Sequence, residues 1–353
     1  MNRPLKYNEA QIQEIFIDWF DKNKRKLPWR KLFDNKLPNP YYIFVSEYML
    51  QQTTVGTVKK RFDEFIVKWP SLDDLAKISD ATILKFWSGL GYYYRATNLL
   101  KAAKIIKRNF KSKIPNNFDD LIKLPGVGEY TAKAILGIAY NQAVMPLDAN
   151  IDRILARLYG LQLPINKVKK ELKNKASFFI SKDSSTKLIQ AFMDYGSLIC
   201  TPRNPNCEDC LISSNCISYK KNIQNIIPIK IKSKKIKLKK YSRAYIFYNE
   251  KNEILVRKRS SKGMLPSMLE VPNDIWVINK KNLVSDNILL KVKNKIQSKG
   301  SVEYSFSHFN LQTEVFFIKV KKSLLINYKW INKNNLGKSG LPTVMKNIVQ
   351  AAF

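Results

Sequence analysis

Cysteine is missing from all but one short stretch of this chain: four residues fall within positions 200–216, and the other 336 of 353 positions have none. That distribution excludes a disulfide framework of the secreted kind and points to one metal site. No run approaches the roughly 20 apolar residues that a membrane-spanning helix needs. The opening residues MNRPLKYNEA lack the apolar core of a secretion signal. A cytoplasmic chain with no membrane partner is expected. Internal repeats of a solenoid or propeller period are absent as well. Acidic side chains are scarce: 28 Asp and Glu stand against 62 Lys and Arg, a formal charge of +34 and a pI near 9.9. A polyanion is therefore the expected partner, nucleic acid ahead of an anionic membrane.

The length exceeds one ordinary core, so two domains are expected. From about Gln11 to Tyr219 apolar residues recur at helical spacing, as in IQEIFIDWF, FDEFIVKW and IDRILARLYGL. The breaks between them, LPWR, SGLGYYY, LPGVGEYT and MPLDAN, carry turn chemistry. Residues 221–240 end in IKIKSKKIKLKK, which cannot bury a face of its own and reads as a basic linker. Beyond Tyr241 the period becomes two, in SRAYIFYN, EILVRKR, VEYSFSH, LQTEVFFIKV and NYKWIN, before a closing helix in PTVMKNIVQAAF. The expected division is an all-α domain over 1–220, a linker over 221–240 and a small α+β domain over 241–353.

Three groups of residues carry chemistry. Cys200, Cys207, Cys210 and Cys216 form C-x6-C-x2-C-x5-C within ICTPRNPNCEDCLISSNC. Four thiolates in polar turns suit an iron-sulfur cluster or tetrahedral zinc. Zinc sites usually carry two C-x2-C pairs and only one is present, which favours a four-iron, four-sulfur (4Fe-4S) cluster. The glycines of Leu124-Pro125-Gly126-Val127-Gly128 free backbone amides at the start of the next helix for a DNA phosphate; a plain glycine cap between packed helices is the ordinary alternative. Glu47, in VSEYMLQQT, has apolar and uncharged neighbours that would raise its pKa. Asp148, in PLDAN, stands at a helix start, where an N-cap is the default duty. Two acids in different environments suit removal of a purine from its sugar: one protonates the departing base, the other supports the positive charge growing on the sugar.

Taken in order over roughly residues 11–220, LPWR, SEYMLQQT, GLGYYYRA, LPGVGEYTAKAI, LDANIDRILAR and CTPRNPNCEDC resemble the adenine DNA glycosylase branch of the helix-hairpin-helix glycosylases. The resemblance implies a six-helix barrel over about 25–140, and an iron-sulfur part built from 1–24 and 141–220 that holds a 4Fe-4S cluster on the four cysteines. It also implies a monomer that excises adenine opposite 8-oxoguanine from double-stranded DNA by base flipping. Glu47 then matches the acid that protonates N7 of adenine, and Asp148 the carboxylate that stabilises the oxocarbenium ion. Tyr130 borders that acid, in the place where endonuclease III relatives carry a lysine nucleophile; without the lysine no Schiff base forms and the enzyme is monofunctional. Lys133, one helical turn on, is expected at the surface or on a phosphate. Gln52 and Tyr92 match residues that wedge into the duplex where the base leaves, and Trp29, Arg30 and Gln190 match positions that line the adenine pocket. The stretch RKLFDNKLPNPYYIF is longer than the usual family loop.

The second domain resembles a Nudix hydrolase in RAYIFYNEKNEILVRKRSSKGMLPSMLEVP. A working Nudix pyrophosphatase needs a run of metal-binding glutamates next, and NDIWVINKKNLVSDN offers none, so lesion recognition is the expected role. The only histidine, His308, lies in Phe306-Ser307-His308, which resembles the loop that senses 8-oxoguanine, with Ser307 and His308 supplying polar contacts.

Overall fold

Side-chain caps set where several of the helices begin. The structure, a computed structural model, describes residues 6–33, 37–229, 237–260, 262–292, 295–325 and 328–353. Helix α1 (Glu9–Asn23) starts from a capping box between Asn8 and Gln11. Asn39 caps α2 (Pro40–Leu50), with Pro40 in the first turn where its missing N–H costs nothing. Thr54 caps α3 (Val55–Lys68), and α4 (Leu72–Lys77) follows. After α5 (Asp80–Phe86) and α6 (Tyr94–Phe110) come α7 (Phe118–Leu121), α8 (Glu129–Tyr140) and α9 (Ala149–Leu158), then α10 (Ile165–Ser177), α11 (Ser185–Leu198) and α12 (Ile217–Lys220). Helix α7 is a single turn, and Leu124 after it is held out of helical conformation by the proline at 125. The long stretch after Arg30 is partly regular: strand β1 (Leu32–Phe33) pairs antiparallel with β2 (Leu37–Pro38). Among the described residues no helix is long and apolar enough to cross a membrane.

The chain divides into two units, residues 1–77 with 98–233, and residues 78–97 with 234–353. In the first, α2 is buried almost all round, from Tyr41 and Ile43 to Met49, and it packs with α8 and α3. The amphipathic α1 lays Ile12, Phe16 and Phe20 against α11.

In the second unit α5 and the turn after it accompany a sheet of six strands: β3 (Leu238–Tyr248), β4 (Glu253–Lys258), β5 (Leu269–Glu270), β6 (Ile296–Ser305), β7 (Phe309–Lys319) and β8 (Lys329–Asn332). The order is β5-β4-β3-β7-β6, with β8 on β4; β3 and β7 run parallel, from Leu238 opposite Phe309 to Tyr248 opposite Lys319. Alternation along β3 sends Ala244 and Ile246 to one face, under Val344, Met345 and Ile348 of α13 (Thr343–Gln350), and Tyr245 and Phe247 to the other, with Ile288 and Leu325. The segment expected as a linker has structure at both ends. Ile227 is buried, Ile229 pairs with Pro164, and Leu238 to Lys240 already belong to β3; residues 230–236 lie outside the described residues.

Candidate active site

Helix α2 carries Glu47 into the interior because most of the helix around it is apolar and buried. Burial is the main force on this carboxyl and pushes its pKa up to about 8, with the nearby negative charge of Asp148 acting in the same direction. The Tyr130 hydroxyl hydrogen-bonds the Glu47 carboxyl and opposes the rise. Asp148 caps α9, accepting from the backbone N–H groups of Asn150 at 2.9 Å and Ile151 at 2.7 Å, while its other oxygen accepts from Asn150 Nδ2 at 2.8 Å. Burial raises its pKa also, against those donors and the Arg153 charge. With three N–H donors against one hydroxyl, Asp148 is the member of the pair better held as an anion. The helix cap and the coupling to Glu47 therefore coexist in one side chain. A neutral acid beside a hydrogen-bonded anion is an arrangement able to give up a proton on one side and stabilise a cation on the other.

Behind Asp148 runs a relay of contacts that the sequence does not announce. Asn150 Oδ1 accepts from Arg153 Nη2 at 2.9 Å, and Arg153 also donates to the carbonyls of Gly196 at 2.5 Å and Cys200 at 2.7 Å. One helical turn later Arg157 reaches Cys200 Sγ at 3.3 Å and the Thr201 carbonyl at 2.7 Å. Both arginines are buried, in a helix whose apolar residues recur at helical spacing. One signal is available: neither arginine has an acid three or four residues away on its own helix.

The glycine turn is braced by the same helix that carries Glu47. Tyr48 donates to the Pro125 carbonyl at 2.5 Å and Gln51 Nε2 to the Gly126 carbonyl at 3.1 Å. Gly126 has φ +84, and a Cβ there would meet the Tyr48 ring at 2.9 Å, so both backbone and space call for glycine. Val127 is buried, and Gly128 is the N-cap of α8, leaving the start of that helix without a side-chain cap. Lys133 is paired with Glu129 at 2.9 Å, as is Lys173.

The remaining nominated residues fall into two classes. Gln52 and Tyr92 are exposed and both have left-handed backbone, φ +56 and +44, a conformation unusual for side chains other than glycine. Tyr92 belongs to the second unit, where a cavity of about 640 Å³ brings it together with Phe306, Ser307 and His308. Phe306 turns the β6–β7 hairpin, its N–H donating to the Phe309 carbonyl at 2.9 Å and its ring stacked on Phe309; Ser307 and His308 are exposed at the tip. By contrast Trp29 is buried edge-to-face on Phe62, Arg30 forms a two-pronged ion pair with buried Asp194, and Gln190 donates to the Thr186 carbonyl at 2.8 Å. Each of these three has a structural partner in the helical unit. Asp194 also binds Arg25, and sequence reading overlooks it.

In the second unit three acids with largely buried side chains are paired with arginine. Glu270 meets Arg257 and Arg259, Asp274 meets Arg243, and Asp286 meets Arg257.

Cys200, Cys207, Cys210 and Cys216 line one small cavity together with Arg157, Tyr195 and Gln224. The buried Arg157 Nη2 has no hydrogen-bond partner, a loss of about 1–3 kcal/mol that an acceptor in the cavity would recover. Four soft donors around an unpaired N–H fit an iron-sulfur cluster, whose sulfides accept hydrogen bonds.

Residues 45–178 match the HhH-GPD superfamily base excision DNA repair protein, and residues 243–351 match the NUDIX domain. The adenine DNA glycosylase of Buchnera aphidicola subsp. Schizaphis graminum is 36% identical, covering 96% of this chain and 98% of that protein. Its counterpart in Buchnera aphidicola subsp. Baizongia pistaciae is 35% identical and covers 95% of each. Among solved structures, a thermostable thymine-DNA glycosylase has a TM-score of 0.54 at 28% identity, covering 60% of this chain and 97% of that one. The expected fold class holds, a helical helix-hairpin-helix domain followed by a Nudix-like α+β domain. The chain belongs to the adenine DNA glycosylase family, hydrolases of base-excision DNA repair.

Proposed function

We propose that the enzyme excises adenine mispaired with 8-oxoguanine from double-stranded DNA, flipping the adenine out and hydrolysing its N-glycosidic bond without a lyase step. The observation that carries this reading is the meeting of Glu47, Tyr130 and Asp148 at one point of the helical unit. Glu47, with its pKa near 8, is protonated at neutral pH and donates to N7 of the leaving adenine. Asp148 stabilises the positive charge on the sugar, and water completes the exchange to leave an abasic site. Tyr130 orients the acid and supplies no amine for a Schiff base; Lys133, engaged with Glu129, is a poor substitute. Removing the Tyr130 hydroxyl removes the bond that holds the Glu47 pKa down. In Tyr130→Phe the alkaline limb of the excision rate is expected at higher pH than in the wild type, measured by single-turnover kinetics across pH 6–10, roughly the range that brackets a group near 8.

Gly126, Val127 and Gly128 would hold a phosphate, while Gln52 and Tyr92 fill the gap left by the base. Ser307 and His308 would read the opposite base. The test is a set of duplexes differing only in the base facing adenine, incubated with enzyme and then cleaved with alkali. Preferential cutting opposite 8-oxoguanine is expected. In Ser307→Ala/His308→Ala the preference over guanine is expected to fall about 10-fold, the worth of one or two lost hydrogen bonds. Equal cutting opposite every base by the wild type would overturn the reading.

Cys200, Cys207, Cys210 and Cys216 would hold the 4Fe-4S cluster, which supplies iron–thiolate cross-links and one-electron redox chemistry to a loop otherwise held by turns. A monomeric, cytoplasmic enzyme completes the proposal.

A further inference from the structure

Tyr195 is fully buried on α11, its ring edge-on to Phe16 at 4.6 Å and Trp19 at 4.9 Å, both on α1. Its hydroxyl lies between two groups of the cysteine loop. It accepts the Leu211 N–H at 2.8 Å, and it reaches Cys210 Sγ at 3.3 Å. A phenol has one hydrogen. With the oxygen already accepting from Leu211, that hydrogen is directed at the sulfur, and the packed ring leaves it little freedom to turn elsewhere. Among the described residues one other side chain donates to these sulfurs, Arg157 to Cys200, so the two donors serve different cysteines.

We propose that Tyr195 sets the reduction potential of the cluster through its hydrogen bond to Cys210 Sγ. The proposal rests on the reading of the four cysteines as cluster ligands. One-electron reduction adds one negative charge to the iron-sulfur core and its thiolates. The electron, supplied by an electrode in the test, stays on iron and sulfur, and the Tyr195 proton stays on its oxygen. A hydrogen bond to a thiolate stabilises the more negative state more, and so raises the potential. Because the hydroxyl is buried, water cannot replace the lost donor.

The test is voltammetry of the full-length iron-loaded protein beside Tyr195→Phe, which keeps the ring, and Tyr195→Met, which fills the space without a donor. Tyr140→Phe is the control, since it removes another tyrosine hydroxyl, bonded to the Ile114 carbonyl away from the cysteine loop. Both Tyr195 variants are expected to shift to more negative potential with unchanged iron content, and Tyr140→Phe to stay at the wild-type value. An unchanged potential in both variants, an equal shift in the control, or loss of iron from both variants would each overturn the proposal alone. A wild-type protein that binds no iron and sulfide would overturn the cofactor reading together with it.

Discussion

Glu47→Gln is expected to slow adenine excision about 10²–10⁴-fold, the usual worth of a positioned general acid, and to make the protein more resistant to heat at alkaline pH. Glutamine keeps the shape and one hydrogen-bonding oxygen but has no proton to give, so single-turnover excision on an adenine:8-oxoguanine duplex should collapse while duplex binding persists. The stability effect follows from linkage. The folded pKa of Glu47, about 8, lies above its ordinary 4.5. Its contribution to stability is therefore complete below about pH 4.5 and is lost as pH rises through about 8. At pH 9 the wild type buries an anion, whereas the glutamine of the variant cannot ionise; the variant should melt several degrees higher, at about 2–4 °C per kcal/mol. The gap should close near pH 5. Wild-type excision rates in the variant would remove Glu47 from the chemistry, and equal melting at pH 9 would show that its carboxyl is solvated.

Asp148→Asn separates two duties that one side chain performs. Asparagine caps helices about as well as aspartate, and its amide oxygen can still accept the Asn150 and Ile151 N–H groups, so α9 should survive; only the bond from Asn150 Nδ2 is lost, and melting should fall less than on removal of the cap. Excision should nevertheless fall about 10²–10³-fold, because the anion facing the sugar cation is gone. The residual activity carries a second signature: the Asp148 charge helps hold the Glu47 pKa up, so its removal should move the alkaline limb to lower pH. In Asp148→Ala the cap is lost too, and about 1 kcal/mol of stability with it. If the asparagine variant melted as low as the alanine variant, the cap would need the charge, and the argument for an anion poised by three N–H donors would weaken.

Much of this arrangement is legible in the chain because its chemistry is local. Proline and glycine mark the turn at 124–128, the four cysteines stand within 17 residues, and the change of hydrophobic period separates helices from strands. An aspartate before IDRILARL is an N-cap on the evidence of its neighbours alone, and the structure finds that cap. Arg30 shows where such reading stops. By resemblance its place in LPWR matches a position lining the adenine pocket, and the fold sets Asp194, from a helix 164 residues further on, against it. Trp29 likewise acquires Phe62, 33 residues on, as a partner that no neighbouring residue foretells, whereas Gln190 bonds the Thr186 carbonyl one turn back on its own helix.

What the sequence determined by itself is the order and kind of the elements, the clustering of the four cysteines and the identity of the candidate acids, since these depend on residue type and spacing. The tertiary structure decided which groups share an environment. Glu47, Tyr130 and Asp148 are far apart in the chain, and the elevated pKa of the acid exists only because folding removes water from it and sets a second carboxylate beside it. Arg153 and Arg157 became interior residues for the same reason: carbonyl and sulfur acceptors from a distant segment surround them, a condition set by folding distance rather than by spacing along the chain.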